Sequence, residues 1–201
     1  MRRTIGVLLA AVLAGVWAGV WAAPAVARDV GPRPPGQFDF YVLSLSWAQG
    51  YCDSVAHPDP TECGGQVQGF LLHGLWPQLN GGDWPSNCSD QALSAAERGR
   101  SQGIYASPSL ITHEWSKHGT CSGLAPDAYF DLTRADLARV QVPAAYRAGR
   151  KIPTGQADAV RQAFAAANPG MTAAGIQVVT ARGEVTEVDV CLTTDGVFRA
   201  C

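Results

Sequence analysis

Two short segments contain three of the four histidines of this chain. They are FLLHGLWP (70–77), which carries His73, and HEWSKHGTC (113–121). A single histidine on an apolar strand is more often a core residue with its hydrogen bonds satisfied, and a charged helix face is usually solvated. Because both segments occur in one chain, we examine a shared catalytic site as the alternative hypothesis.

The second segment predicts one chemically active helix face. At about 100° per residue, four polar side chains lie within one sector: His113, Glu114, Lys117 and His118. Trp115 points away from them and is free to pack on the core. Glu114 and His118 are one helical turn apart, so we expect the carboxylate to orient or charge-stabilise the imidazole.

The spacing of these residues disfavours several chemistries. A zinc-protease helix needs His-Glu-x-x-His with the histidines four apart, whereas His113 and His118 are five apart and no Cys-x-x-Cys pair is present. The Gly-x-Ser-x-Gly spacing occurs at residues 99–103, but no predicted strand leads into it, as a nucleophile elbow requires. We therefore expect no metal and no cofactor. General acid–base catalysis at an anionic centre remains, with Lys117 compensating negative charge.

Composition limits the class of protein. The 201 residues are 47% apolar and 16% charged, with a formal charge of −2. A disordered chain is excluded by the apolar content, and a protein that relies on non-specific attraction to phosphate is disfavoured by the charge. We predict one globular domain, and a monomer.

The N-terminus predicts a signal peptide over residues 1–27. Arg2 and Arg3 give a positive start, residues 5–23 are apolar, and Ala25-Val26-Ala27 is a small-x-small cleavage site. A membrane anchor is the less favoured alternative, so we expect a secreted or periplasmic protein with no membrane attachment after cleavage. Residues 28–37, rich in proline and glycine, are predicted to be a flexible leader before the domain at 38–201.

The remaining elements predict the α+β class, a central antiparallel sheet with packed helices. Apolar runs predict strands at 38–47 and at 67–76, where Pro77 should end the pairing and leave His73 at the strand end. Two further strands, 176–182 and 184–192, should form a hairpin at Gly183. Helices are predicted at 108–118, where Ser107 caps the start and Gly119 stops the end, at 126–140 and at 157–167.

Six cysteines follow the predicted signal peptide: Cys52, Cys63, Cys88, Cys121, Cys191 and Cys201. An even number in an oxidising compartment predicts three disulfides, although six cysteines allow 15 pairings. Cys191 and Cys201 bracket a turn-forming segment, and a loop centred on Gly196 would place them opposite each other.

The chain resembles the ribonuclease T2 family of secreted, acid-type endoribonucleases. His73–Pro77 and His113–Cys121 are similar to the two active-site blocks of that family. Phe38–Cys52 resembles its opening strand, Trp84–Cys88 the segment after the first block, and Val188–Cys201 the closing hairpin. The resemblance covers nearly all of the predicted domain.

This resemblance implies a metal-independent endoribonuclease that cleaves single-stranded RNA, and not DNA, because the substrate's 2′-hydroxyl is the nucleophile. It implies that His118 is the general base and His73 the general acid. Glu114 and Lys117 match residues that stabilise the phosphorane, and His113 matches a phosphate-binding histidine. The expected first product is a 2′,3′-cyclic phosphate, which is then hydrolysed to a 3′-phosphate.

The resemblance also suggests where a base would bind. Trp76 and Trp84 flank the first block where family members place stacking rings. Many members carry tyrosine in place of Trp84, and Gln78 stands where some have a base-reading aspartate. Base preference is therefore left open, and ordinary packing roles for Trp84 and Gln78 are the alternative.

The pairing that we predict is Cys52–Cys63, as the resemblance also suggests, with Cys88–Cys121 and Cys191–Cys201. The second of these bonds would join the two active-site blocks.

A different class of function, a secreted binding or signalling factor with incidental catalysis, is disfavoured because the four candidate catalytic residues are all present.

Overall fold

A four-stranded antiparallel sheet with helices packed on it confirms the predicted α+β class. The computed structural model describes residues 27–64, 68–147 and 149–201. The predicted signal peptide, except Ala27, lies outside the described residues. The strands are β1 (Phe40–Trp47), β2 (Phe70–Gln78), β3 (Ile176–Ala181) and β4 (Glu184–Leu192). The helices are α1 (Ala48–Ser54), α2 (Pro60–Cys63), α3 (Ala95–Arg100), α4 (Pro108–Lys117), α5 (Pro126–Arg139) and α6 (Ala157–Ala167).

The sheet order β2-β1-β4-β3 puts β1 inside the sheet, and its two faces are used differently. Leu43, Leu45 and Trp47 are buried in the main core, which also contains Trp115 of α4 and Tyr129 of α5. This confirms that Trp115 points away from the polar face of its helix. The opposite face of β1 carries Phe40 and Val42 and then the small polar side chains Ser44 and Ser46.

Strand β2 differs from the prediction at its end. It continues through Pro77 to Gln78, and Pro77 lies opposite Tyr41 in the register. The carbonyl of Gln78 accepts from the N–H of Asp39 at 2.8 Å and so points toward β1. Backbone groups of neighbouring residues point to opposite sides of a strand, so the nitrogen of Pro77 lies on the outer edge, where no N–H is needed. The prediction that Pro77 stops the pairing is wrong.

A β-bulge at His73 is the second departure in β2. Gly74 pairs with Ser44 and Leu72 with Leu45, so His73 has no partner of its own on β1. His73 therefore lies within the strand and not at its end. A bulge bends its strand and redirects the extra residue's side chain.

The hairpin of β3 and β4 and the predicted helices are confirmed. Arg182 and Gly183 form the turn, both with positive φ (49° and 85°), as a two-residue turn of this twist requires. Helix α4 begins at Pro108 as predicted, although the Ser107 hydroxyl bonds Asp59 at 2.9 Å and does not cap the helix. The helix ends at Lys117, and 119–121 form a 3₁₀ turn.

All three predicted disulfides are present: Cys52–Cys63, Cys88–Cys121 and Cys191–Cys201. The second joins the loop after β2 to the turn after α4, and backbone bonding from Asn87 to Lys117 reinforces that junction. The C-terminal hairpin has a different register from the prediction. Its turn is Thr193–Gly196, and Cys191 accepts from the N–H of Arg199 and not from Cys201, whose N–H bonds Ala174.

Residues 28–37 make specific contacts, although a flexible leader was predicted. Val30 donates to Trp84 at 3.0 Å, Ser86 donates to Gly31 at 3.1 Å, and Gly36 donates to Cys121 at 2.9 Å. Proline and glycine here shape an irregular path along the loop that follows β2. Across the described ranges, the helices are all too short or too polar to cross a lipid bilayer.

Gly50 provides a test of how α1 packs on the sheet. A Cβ at this position would lie 1.9 Å from the Val185 carbonyl oxygen of β4, and that contact is with backbone. We expect Gly50→Ala to lower the free energy of unfolding by about 1–3 kcal/mol. Gly99→Ala, in α3 with no atom within 4 Å, should instead stabilise by up to about 1 kcal/mol. Chemical denaturation measures both, and equal stability of the two variants would contradict this packing.

Candidate active site

The polar face of α4 and the Ser44 face of the sheet enclose a cleft of about 340 Å³. All eight candidate residues from the sequence line it: His73, Trp76, Gln78, Trp84, His113, Glu114, Lys117 and His118. The structure therefore brings the two sequence segments together in one site.

The bulge in β2 explains how His73 reaches this cleft. In a regular strand, His73 and Trp76 are an odd number of residues apart and would point to opposite faces. The extra residue shifts the alternation, so both side chains lie on the cleft face while Leu72 and Leu75 are buried in the core. A regular strand would have directed the imidazole into the apolar core.

The indole of Trp76 contacts two imidazoles. Its ring stacks on His118, with centroids 5.2 Å apart and planes 27° from parallel. His73 meets the same ring edge-on, at 4.9 Å and 81°. Both imidazoles therefore pack against the same ring.

Glu114 holds Trp76 in place. The indole N–H donates to Glu114 Oε2 at 2.8 Å, and the carboxyl group is completely buried. Burial raises the pKa of Glu114 to about 7, against the opposing effects of the His73 charge and the Trp76 hydrogen bond. The expected pairing of Glu114 with His118 is not formed: Glu114 Oε2 accepts from the indole, and neither Glu114 Oε1 nor His118 Nδ1 has a hydrogen-bond partner within the described part of the chain.

Gly74 makes room for this arrangement. A Cβ there would lie 2.0 Å from Glu114 Oε2 and 2.3 Å from Trp76 Nε1. Only a residue without a side chain permits the helix carboxylate and the strand indole to meet. The glycine after His73 is therefore part of the site.

His118 is kept neutral by its surroundings. It is buried at the end of α4, beside Lys117 and His113 on its own helix. Burial lowers its pKa, and the positive charges of Lys117, His113 and His73 lower it further, to about 2. This imidazole is therefore unprotonated throughout the ordinary pH range.

His73 has the opposite environment. Burial alone would lower its pKa, but a hydrogen bond to Glu187 and the charges of Glu187, Glu114 and Glu62 outweigh that effect and raise it. Its Nδ1 lies 2.8 Å from Glu187 Oε2. Glu187 was missed in the sequence. The available signal was its position in β4: a charged residue two before Asp189, on the same face of an otherwise apolar strand.

The other candidate residues form the walls of the cleft. The side chain of His113 is 55% exposed at the rim, and its Nε2 lies 4.0 Å from Glu114 Oε1. Partial burial and the charge of Lys117 lower the pKa of His113. Gln78 is buried where β2 ends, and Trp84 is held by the backbone bonding to Arg28 and Val30.

His73 also borders a second cavity of about 160 Å³ on its far side. Ser46 of β1, Tyr51 of α1, Glu62 of α2 and Leu110 of α4 line it. One imidazole therefore touches two adjoining cavities.

Comparisons with known proteins show the family and the fold. The model of the Ribonuclease T2 family matches residues 38–201. A ribonuclease of Aeromonas hydrophila is 35% identical over 167 residues, which are 80% of this chain and 74% of that protein. The structure of ribonuclease MC1 from bitter gourd seeds aligns with a TM-score of 0.61 at 24% identity, over 79% of this chain and 91% of that one. RNase NT in complex with 5′-AMP aligns with a TM-score of 0.57 at 23% identity, over 82% and 91%.

The chain belongs to the Ribonuclease T2 family. It is accordingly an endoribonuclease of the T2 type. The resemblance inferred from the two histidine segments is confirmed.

Gly74→Ala tests the contact between Trp76 and Glu114. We expect the added methyl group to separate the indole from the carboxylate, with a loss of about 1–3 kcal/mol in stability and a loss of ribonuclease activity in the variant that remains folded. Gly155→Ala is the control, because a Cβ there meets no atom within 4 Å. Denaturation curves and RNA cleavage assays measure the two effects. Unchanged activity of a folded Gly74→Ala protein would show that the indole does not need this position.

Proposed function

We propose that this protein cleaves single-stranded RNA in two steps, with His118 and His73 as the proton-transferring pair. The observation that carries the proposal is the opposite tuning of two imidazoles on one indole: His118 is neutral, and His73 has a raised pKa. A reaction that needs one base and one acid at the same pH requires this combination.

In the first step, the RNA 2′-oxygen attacks the adjacent phosphorus. His118 takes the 2′-hydroxyl proton as the O2′–P bond forms, and His73 donates a proton to the 5′-oxygen as the P–O5′ bond breaks. The product is a 2′,3′-cyclic phosphate. In the second step, His73 takes a proton from water as the water oxygen bonds to phosphorus, and His118 returns a proton to the 2′-oxygen as the P–O2′ bond breaks, giving a 3′-phosphate.

The remaining polar side chains stabilise the charge that develops on phosphate oxygens. Lys117 is a cation beside His118 in the cleft. Glu114, whose pKa is about 7, is a neutral acid below that pH and can donate its proton to a non-bridging oxygen. His113 at the rim binds phosphate when protonated.

The nucleotides on either side of the phosphate have separate cavities to occupy. Trp84 and Gln78 line the larger cleft with Trp76, and we assign them to the base on the 2′-hydroxyl side. Because one face of Trp76 is occupied by His118, Trp84 is the ring that stacks on this base. The smaller cavity beyond His73 accepts the leaving nucleotide.

The predicted signal peptide and the three disulfides support a secreted or periplasmic protein. We propose that it acts as a monomer, on RNA and not on DNA, without a membrane partner or metal.

A matched pair of oligonucleotides tests the reaction. In EDTA, we expect the purified protein to cleave a single-stranded RNA and to leave the same sequence intact when the ribose at the cleaved position is 2′-deoxy. Mass spectrometry of early products should show 2′,3′-cyclic phosphate ends. Cleavage of the 2′-deoxy strand, or cleavage that stops in EDTA and returns with a divalent metal, would contradict the mechanism.

Variants of the histidines test the two roles. His73→Ala and His118→Ala should each lose at least about 10²-fold in kcat while remaining folded. His57→Ala, at the exposed fourth histidine, should be unchanged. In the wild type, activity should fall as pH rises through the raised pKa of His73, because the imidazolium is lost. The rising limb of the profile should lie in strong acid, because the pKa of His118 is about 2. A folded His118→Ala variant with near-native turnover would exclude His118 as the base.

A further inference from the structure

A pair of carboxyl side chains on β4, Glu187 and Asp189, lies beside His73, and Asp189 lines the cleft. Glu187 Oε2 is 2.8 Å from His73 Nδ1, and the Glu187 side chain is only 16% exposed. The two residues are on β4 and β2, so the contact crosses β1 between them. Glu187 is opposite Ser46 in the register, and Asp189 is opposite Ser44. These small hydroxyl side chains leave room for the contact.

The second member of the pair, Asp189, is 7% exposed and its Oδ1 has no hydrogen-bond partner within the described residues. Burial raises its pKa well above the ordinary value, and the neighbouring Glu187 charge raises it further. The pKa of Glu187 is lowered overall: burial opposes ionisation, but the hydrogen bond from His73 and the His73 charge, with smaller effects of Asp189 and Ser44, favour it. Glu187 is therefore the charged member of the pair, and Asp189 is the neutral one.

On the basis of the proposed function, we propose that Glu187 is the positioning residue of the general acid His73, and that Asp189, its neighbour on the same face of β4, holds Glu187 in place. His73 donates its Nδ1–H to Glu187, which leaves the Nε2–H directed at the departing 5′-oxygen. After that proton leaves, Nδ1 keeps its hydrogen. The neutral imidazole then has its free lone pair on Nε2, as the hydrolysis step requires.

Other charged groups also face His73 and define what Glu187 alone contributes. Glu62 on α2 and Glu114 on α4 add negative charge. His113 and His118 on the α4 side are the cationic or titratable groups near it. Removing the Glu187 charge should therefore lower the pKa of His73 without abolishing its titration.

Two substrates separate a positioning role from a structural one. In a dinucleoside phosphate, the departing 5′-oxygen needs a proton. In the p-nitrophenyl ester of the same nucleoside 3′-phosphate, the leaving group departs without one. We expect Glu187→Gln, which keeps the shape and removes the charge, to reduce kcat on the dinucleotide by about tenfold or more. This loss is smaller than the roughly 10²–10⁴-fold expected when a general acid is removed. The nitrophenyl ester should be nearly unaffected, and the falling limb of the dinucleotide pH profile should move to lower pH.

Conservative and control variants complete the test. Asp189→Asn should retain near-native rates, because the amide keeps the shape of the neutral carboxyl group. Glu184 lies at the start of the same strand and pairs with Lys151. The control variant Glu184→Gln should leave both rates and the pH profile unchanged.

Two results would overturn the proposal while the wild type remains active: an equal loss on both substrates, which indicates a structural role, or no loss and no shift in Glu187→Gln. A wild-type protein that cleaves neither substrate would instead overturn the proposed function, and this inference with it.

Discussion

The hydrogen bond between the Trp76 indole and the Glu114 carboxyl group is the contact on which the arrangement of the site depends. It links the edge strand to the helix that carries the other polar residues, and it gives the buried carboxyl group its partner. The indole held in this way becomes the surface against which His118 stacks and His73 rests. Gly74 is required because any side chain would occupy the position of this bond.

The two histidines that contact this indole are both buried, and yet their pKa values shift in opposite directions. Both histidines lose solvation, which disfavours their charged form. On the α4 side, Lys117 and His113 add to that effect, so His118 stays neutral. On the sheet side, Glu187 overcomes it, so His73 favours its proton. The difference lies in the charges near each ring: Glu187, Glu114 and Glu62 act on His73, whereas Lys117 and His113 act on His118.

Much of this could be predicted from the sequence where local spacing decides the structure. The helix of 108–118, the shared face of its polar residues and the burial of Trp115 follow from a period of 3.6. The hairpin at Gly183 follows from turn chemistry. The disulfide pairing came from the family resemblance together with the turn between Cys191 and Cys201.

The predictions that failed concern residues whose positions are set by tertiary contacts. A bulge cannot be read from a run of apolar residues, so the direction of His73 was not predictable. Pro77 continues the strand because β2 is at the edge of the sheet, which depends on strand order. Glu114 lies one turn from His118 and yet bonds to an indole from another element, and Glu187 is more than 100 residues from the histidine that it contacts. Contacts between residues on different elements can be identified only once the fold is known.

The difference in pKa between His73 and His118 is tested most directly by NMR titration of the histidine ring nitrogens in the resting protein. We predict that His118 remains neutral from neutral pH down to at least pH 4, because its pKa is about 2. His73 should titrate above the ordinary value of about 6.5, with its Nδ1 carrying hydrogen in both forms. If both histidines instead titrate together near that value, the surrounding charges do not give them different pKa values, and the assignment of one base and one acid is wrong.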